Sequence, residues 1–557
     1  MPGDRRYRRV AYLLAFALIG ASLPVESQNS NNAATAAASY RIAGTLVSAS
    51  DGHPLSHARV ILANVKDLRD SKSVITEEDG GFSFTGLAAG KYSLQAMRRG
   101  FVPGGFDQHI PFWTAIVTGA GVDTEHLLFR LTPLSYIVGQ VLDENSDPVR
   151  AATVRLYRED DSDGFRRIVP TRGATTNDLG VYELGPDSPG TYFVSATAEV
   201  WYAVHPQQAD VNTSRETTSQ VDPSLDVAYP ITYYGDETTA DEATPIQLKE
   251  GGERFRADIH LAPVPALHLL VHVPTAGPNV GPAFPQLRQS GLDNSGYLPG
   301  VQERPVSPGV WEITGVPEGN YTIDVFDQAT KEMHATKVSA TAQGQDVDAT
   351  GGDAGGAVNI SVQLPEEKSI PSALQVGLLV PRGMLKSVAQ VDAKGVAHLQ
   401  QVPSGTYQLA AWGGGKRYSV TELSLGGQTV AGQNIHVEAG AAVAVSVTLA
   451  SGSETVEGVV KDGTKPISGA MVVLVPQKPE NHPDLFRRDQ SDLDGTFTLR
   501  SIVPGKYTVI AIENGWELEW SRAEVIASYL AHGQKIIVGG QQRGAMKLAD
   551  PIQAQEK

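Results

Sequence analysis

The chain has 557 residues, 41% hydrophobic and only 7% aromatic, a length and balance that suit several modest globular domains in series and exclude a disordered polypeptide. Its 45 basic and 62 acidic residues leave a net charge of −17, which repels a phosphate backbone and argues against a nucleic-acid partner. With no cysteine, disulfides, thiolate chemistry, Cys-bound zinc and acylation at a cysteine are all excluded.

The N-terminus opens with Arg5, Arg6, Arg8 and Arg9, then an apolar run from Val10 to Leu23, then Val25-Glu-Ser27. This is the layout of a secretory signal over residues 1–27, its apolar part too short for an easy membrane span. If uncleaved it is the one expected membrane contact. An exported chain without disulfides fits a bacterial envelope better than a eukaryotic secretory route, so the expected location is secreted, periplasmic or cell surface. Residues 28–39 read as a disordered linker.

From residue 40 the chain repeats itself. The first unit, 40–132, runs from Gly44 through the turn Pro54-Leu55 to Ala58-Arg-Val60, then Gly81-Phe82-Ser-Phe84, Tyr92-Ser-Leu94-Gln-Ala96 and a closing strand ending at Leu131. The second, 133–264, has Gly139, Pro148-Val149, Ala152-Thr-Val154, Val181-Tyr182-Glu-Leu184 and Tyr192-Phe-Val194-Ser-Ala196, then a long insertion before Phe255 to Leu261. The third, 265–365, keeps Val310-Trp311-Glu-Ile313 and Tyr321-Thr-Ile323-Asp-Val325, and reads as closing with Val358-Asn-Ile360-Ser-Val362-Gln-Leu364. The fourth, 366–452, has Val396-Ala-His398-Leu399 and Tyr407-Gln-Leu409. It is degraded at the aromatic position, so its core is expected to be the least well filled. The fifth, 453–549, restores the full pattern with Gly458, Pro466-Ile467, Ala470-Met-Val472, Phe497-Thr-Leu499 and Tyr507-Thr-Val509-Ile-Ala511. Near its end Ser521-Arg-Ala-Glu524 is a capping-box pattern that predicts one short helix before Gly533. Residues 550–557 form a tail.

One spacing ties the units together. Gly80, Gly180, Gly309, Gly395 and Gly495 are each followed twelve residues later by Tyr92, Tyr192, Tyr321, Tyr407 and Tyr507, each in a Gly-x-Tyr step. The flanking residues alternate with period two and the turns are Gly- and Pro-rich, which predicts a pair of antiparallel strands around each turn. With the upstream and closing strands, each unit has about seven, the number for a Greek-key sandwich of roughly 100 residues. The predicted fold class is therefore all-β, a tandem array of about five Greek-key β-sandwich domains with one short C-terminal helix. Proline-bearing linkers such as Leu131-Thr-Pro133, Leu261-Ala-Pro263-Val-Pro265 and Leu364-Pro365 predict a semi-rigid string.

The combination Gly-x-Val, Pro-Ile/Val-x-x-Ala-x-Val, Asp-x-x-Gly-x-Phe/Tyr and Pro-Gly-x-Tyr-x-Val-x-Ala resembles the carboxypeptidase regulatory-like module, a relative of prealbumin-like and starch-binding-like sandwiches. The resemblance is specific for units one, two and five and loose for the middle two. The stretch from Tyr233-Tyr-Gly-Asp to Gly251 also resembles part of bacterial exported proteins built from several such modules. The resemblance implies non-catalytic modules.

The residues carry no catalytic pattern. None of the thirteen histidines starts a His-x-x-Glu pair, and His-Glu-x-x-His and Gly-x-Ser-x-Gly are absent, so the peptidase that lends the module its name is not expected, nor any other enzyme. The Gly90-Lys91, Gly415-Lys416 and Gly505-Lys506 steps lack the spacing of a phosphate loop and read as turns. Asp160-Asp-Ser-Asp163-Gly164 and Asp492-Leu-Asp494-Gly495 place carboxylates beside a glycine, as calcium loops do, but lack the distal Glu and also read as turns. No metal or other cofactor is expected.

Aromatic residues give the one hint of a ligand. Phe101, Trp201 and Trp516 each lie nine residues after a repeat tyrosine, and Trp113, Tyr233, Tyr234 and Trp412 also fall near predicted loops. Trp201, Trp516, Tyr233 and Tyr234 are the candidate ligand-binding residues, rings that stack on sugar faces; alternatively they plug the ends of the sandwiches. The modules also resemble the B-type repeats of bacterial adhesins, whose Lys–Asn crosslinks would make Lys461 a candidate without a convincing Asn partner. The function expected from all this is an exported, non-catalytic modular binding or spacer protein with a polysaccharide ligand; the alternative is an adhesion or envelope-assembly scaffold that pairs with a protein through sheet edges.

Overall fold

Alternation of period two becomes, in three dimensions, strands with one buried face. In Leu127–Leu131, for example, Leu127, Phe129 and Leu131 are buried while Leu128 and Arg130 face solvent. The computed structural model describes residues 39–557 except 163, 165, 207–221, 250, 276–282, 290, 293–297, 328–331, 352, 366, 368, 381–384, 431–432 and 540–543. The predicted signal 1–27, most of the following linker and Asp163 lie outside the described residues. What is described is a succession of two-layer β structures with five main apolar cores.

The predicted strand pairs exist, but the two strands of each pair do not bond to one another. Gly81–Leu87 pairs with the first strand, Tyr40–Ser48, while Gly90–Met97 pairs with Arg59–Asn64 in the opposite sheet. The same division separates Val181–Asp187 from Gly190–Thr197, and Val310–Val316 from Gly319–Asp327. In the fourth and fifth units too, the two strands pair with different neighbours. The turn between them is thus a crossover from one layer to the other. A hairpin would put both strands' apolar residues on one face of one sheet; the crossover lets them fill a core from both sides.

The repeat residues hold this crossover. Each tyrosine hydroxyl donates to the carbonyl four residues upstream: Tyr92 to Ala88, Tyr192 to Ser188, Tyr321 to Pro317, Tyr407 to Pro403 and Tyr507 to Val503, at 2.7–3.1 Å. The ring fills the core while the hydroxyl pairs with a carbonyl of the corner, which in the first unit also accepts from the Thr118 hydroxyl. The repeat glycines all have φ between 69° and 83°. Their carbonyls accept from Leu46, Val141, Val273, Val362 and Val460 on the first strands at 2.7–2.9 Å. At Gly495 an added Cβ would sit 2.5 Å from the Val460 carbonyl oxygen, so both conformation and space demand glycine there.

That hydrogen bond also corrects a strand assignment. Val362 occupies the first-strand position of the fourth unit, and Gly356–Gln363 pairs with Val396–Val402 and with Ala442–Ser451. The strand read as closing the third unit therefore opens the fourth. Its Val358, Ile360, Val362 and Leu364 enter the same core as Tyr407, Tyr418 and Leu423. This core gathers more buried residues than any other among the described residues. The long strand Lys416–Leu425, which the repeat pattern does not show, supplies the missing aromatic bulk and links both halves into one nine-stranded sheet.

A second recurrent device sits behind the Pro-x-x-Ala-x-Val turns. Ala58 and Ala152 donate their backbone N–H to the hydroxyls of Thr76 and Thr176, and Ala470 to that of Ser491, each at 2.9 Å; the hydroxyls in turn donate to the carbonyls of Leu55, Val149 and Ile467. All three hydroxyl residues are buried.

The predicted helix is present as Ala523–Ile526, continued by a 3-10 segment Ala527–His532 before Gly533. Its cap differs from expectation: Arg522, not Ser521, is the N-cap. Ser521 is buried against Gly164 of the second sandwich, whose Cβ position falls 2.2 Å from the serine hydroxyl. Packing has taken the residue the capping box would have used.

Nor is the array a simple string. The fifth sandwich contacts the first through Lys91 and Asp492, the second through Arg166 and Glu519, and the fourth through Val420, Gln433 and Asp484. Proline linkers restrict individual bonds but do not prevent distant units from folding back.

Candidate functional site

The first and fifth sandwiches enclose a cleft of about 690 Å³. One wall is Pro111–Trp113 with Ala115, Lys66 and Lys91 of the first unit; the other is Glu457–Val459, Asp489 and Thr496–Thr498 of the fifth. His109 and Phe112 exchange both backbone hydrogen bonds, at 2.9 and 2.7 Å, so their segment turns tightly and projects its rings. The His109 ring lies flat on Trp516, centroids 4.5 Å apart and planes 6° from parallel. Burial holds the His109 pKa below its ordinary value, which favours the neutral ring in this stack.

Polar groups fix the junction. Lys91 Nζ pairs with Asp492 Oδ2 at 2.5 Å and donates to Thr496 Oγ1 at 2.8 Å. Asp492 Oδ1 accepts from Ala115 N–H at 3.0 Å, and Leu493 N–H donates to the Ala115 carbonyl. Gln490 donates to the Asp107 carbonyl and to the Thr114 hydroxyl. The Arg488 guanidinium sits over Phe112, Trp516 and Trp520 at 5.3, 5.3 and 4.7 Å and donates to the Ser162 carbonyl of the second unit. Asp492 thus serves a turn and an interdomain ion pair.

Beside this contact two carboxyls sit in weakly hydrated surroundings. Burial pushes the Asp489 carboxyl up to about 6, against the hydrogen bonds its carboxylate accepts from Thr498 and Gln490 N–H, with nearby Asp492 adding to the rise. Burial also raises Asp492, opposed by Lys91. Trp113 lines the same cleft with 40% of its surface exposed, and Lys66, Arg500 and Lys547 add donors. A partly exposed aromatic ring is thus flanked by carboxyl, hydroxyl, ammonium and guanidinium groups.

The sequence candidates lie in different places. Trp201 is 83% exposed and meets Tyr202 edge to face at 5.4 Å. Trp516 is stacked under His109 and tilted against Phe112, its indole N–H donating to the Gly469 carbonyl at 3.0 Å. Tyr233 is 2% exposed, inside a small apolar cluster with Tyr157, Ala243 and Leu292, and Tyr234 is half-buried against Phe255. Phe101 packs onto the first core and Trp412 donates to Gln375 Oε1. Equal spacing from the repeat tyrosine did not bring equal surroundings: Phe101 packs against the first core, Trp516 against the cluster of Met471, Val473 and Ile510 on the other face of a fifth-unit sheet, and Trp201 stands in solvent. Lys461 pairs along the backbone with Pro466 and Gln553. Trp113, Asp489 and Arg488 were not singled out as a group by sequence, because more than 370 residues separate the two walls; the only signal was an aromatic pair, Phe112-Trp113, in a loop.

Residues 41–112 match the family model of the carboxypeptidase regulatory-like domain, and residues 453–538 that of the second β-sandwich domain of the BOS complex subunit NOMO1-like family. The chain is thus a multi-domain β-sandwich protein whose matched units are of regulatory-like and sandwich types. No curated protein matches it. Solved structures similar to it include the Bacillus anthracis TIE protein (11% identity over 76% of this chain and 75% of that one, TM-score 0.17). The minor pilin of Streptococcus agalactiae is 13% identical over 41% and 97% (TM-score 0.20), and the major pilin subunit of Bacillus cereus 9% over 74% and 99% (TM-score 0.15). These overlaps are too slight to bear on function. No helix among the described residues is long and apolar enough to cross a membrane.

Proposed function

We propose that this protein is an exported, non-catalytic binding module of a bacterial envelope and that it takes an oligosaccharide segment in the cleft between its first and fifth sandwiches. The observation that carries this reading is the exposed ring of Trp113 in a cleft lined by Asp489, Thr498, Lys66 and Arg500. Such a site gives modest affinity, and an additional exposed ring at Trp201 offers a second contact on a long polymer. Polysaccharide pull-down and calorimetry on the full chain test it: Trp113→Ala should weaken binding at least tenfold with the melting temperature unchanged. Binding unaffected by Trp113→Ala, or no binding across a broad glycan panel, rejects the cleft.

One observation favours the adhesion reading as a second possibility. Strand Asp67–Ile75 is a sheet edge exposed along almost its whole length, with Leu68 and Ile75 68% and 59% exposed, open to strand addition by a protein partner. Alternating Asp67, Arg69, Asp70 and Lys72 blunt that edge, which is why the cleft is preferred. Crosslinking from Lys72 to a defined envelope protein would reverse the preference.

A further inference from the structure

A different part of the molecule brings two imidazoles and a carboxylate together. His205 and Asp226 belong to the insertion of the second sandwich, and His268 opens the third, in Leu267–His272. His205 Nδ1 lies 2.8 Å from Asp226 Oδ1, and His268 Nε2 lies 3.0 Å from Asp226 Oδ2. One donor atom from each residue falls within 4.8 Å of the other two. The three side chains are only 7%, 9% and 10% exposed.

We propose that His205, Asp226 and His268 bind a zinc-class divalent ion that fastens the second sandwich to the third. The donor set is right for it: two imidazole nitrogens and a carboxylate suit zinc, cobalt or nickel rather than calcium or magnesium. In a tetrahedral site with bonds of about 2.0–2.1 Å, donor atoms stand roughly 3.3 Å apart. Asp226 Oδ1 lies 2.8 Å from His205 Nδ1 and 3.3 Å from His268 Nε2, so the first separation opens by about half an ångström, the second already fits, and the two imidazoles, with nitrogens within 4.8 Å, close on the ion.

The surroundings supply what such a site needs. Glu312, its side chain 1% exposed, places Oε1 3.8 Å from His268 Nδ1 and is itself paired with Arg304 at 2.7 Å. A carboxylate on that side, at 3.8 Å beyond direct hydrogen-bond length, favours a proton on Nδ1, and metal binding would displace the proton through which Nε2 faces Asp226. On the far side of the cluster, Gly315 has φ 76°, and a Cβ there would come 2.8 Å from His205 Nε2; glycine leaves that nitrogen room to keep its own proton. The backbone fixes all three segments. Val204 N–H donates to the Leu225 carbonyl, Ala266 N–H donates to the Asp226 carbonyl, and Val227–Ala228 pairs with Val264–Pro265. Each ligand is thus next to a hydrogen bond that ties its segment to another, so little ordering remains to oppose binding.

Titration of the untagged full chain, stripped with chelator and dialysed, tests the site. Zinc calorimetry should give one ion per chain, and cobalt(II) should develop the intense visible absorption of a tetrahedral nitrogen–oxygen site. His268→Ala should weaken binding at least a hundredfold. Asp226→Asn, which keeps the side-chain shape and so the fold, should weaken it at least tenfold, and His260→Ala, removing the exposed His260–Asp236 pair, should leave it unchanged. No stoichiometric ion in the wild-type chain, or full binding by a folded Asp226→Asn variant, overturns the proposal. Glycan binding in the cleft is a separate measurement, so either reading can fail alone.

Discussion

Replacing Asp489 by Asn should stabilise the fifth sandwich at neutral pH. The carboxyl's ordinary value is 3.8, and burial between Arg487–Gln490 and Thr496–Ile502 carries it to about 6. A folded-state value above the unfolded one means that folding disfavours the charge. The stability this group contributes is complete below about pH 3.8 and is lost as the pH rises through about 6. At roughly 1.4 kcal/mol per pH unit, the charged carboxylate costs the fold up to about 3 kcal/mol above pH 6. Asn keeps an oxygen able to accept from Thr498 N–H, a bond of 2.6 Å, and carries no charge. Because five cores do not unfold as one, the assay should be local: hydrogen exchange of Thr496–Ile502 amides from pH 4 to pH 8, corrected for intrinsic rates. Protection in the wild type should fall across that range by up to about 3 kcal/mol more than in the Asn variant, whose remaining slope comes from the raised Asp492 carboxyl, and the variant gains most at pH 8. Equal protection at pH 8 in both proteins, or a variant less stable than the wild type at every pH, would refute the claim that this carboxyl is held in a site hostile to its charge.

Gly495→Ala should destabilise the same sandwich by about 2–4 kcal/mol, from a φ of 77° and a Cβ 2.5 Å from the Val460 carbonyl, read as a lowered denaturation midpoint. Tyr321→Phe should cost the third sandwich about 1–2 kcal/mol by stranding the Pro317 carbonyl in a buried corner, visible as faster exchange in Gly319–Asp327. Arg488→Ala removes a cation set over three rings and a bond to Ser162. It should loosen the junction of the first, second and fifth units by about 1–3 kcal/mol, seen as increased exchange in His109–Trp113 with the five cores unchanged.

The repeat was legible because each of its residues answers to a local rule. Gly495 is needed for a positive φ, Tyr507 for a ring and a hydroxyl at one corner, and Phe497 and Leu499 for the buried face of one strand; the same reasons recur in every unit. The candidate site was mostly illegible for the opposite reason. Trp113 and Asp489 stand on different units, and neither carries a spacing that announces the other. The same holds for His205, Asp226 and His268, in which the two imidazoles belong to different sandwiches.

Sequence alone therefore determined that this is a tandem array of β-sandwiches, since alternation, turn chemistry and repeat spacing are properties of neighbouring residues. It misjudged which neighbours bond: a period of two says which face of a strand is buried but not which strand lies beside it, so the crossovers were taken for hairpins and Gly356–Gln363 was given to the wrong unit. Tertiary structure alone decided that the fifth unit folds back on the first, second and fourth, because that contact is chosen by the mutual fit of Lys91, Arg488, Asp484 and their distant partners, and nothing in the spacing along the chain encodes such a fit.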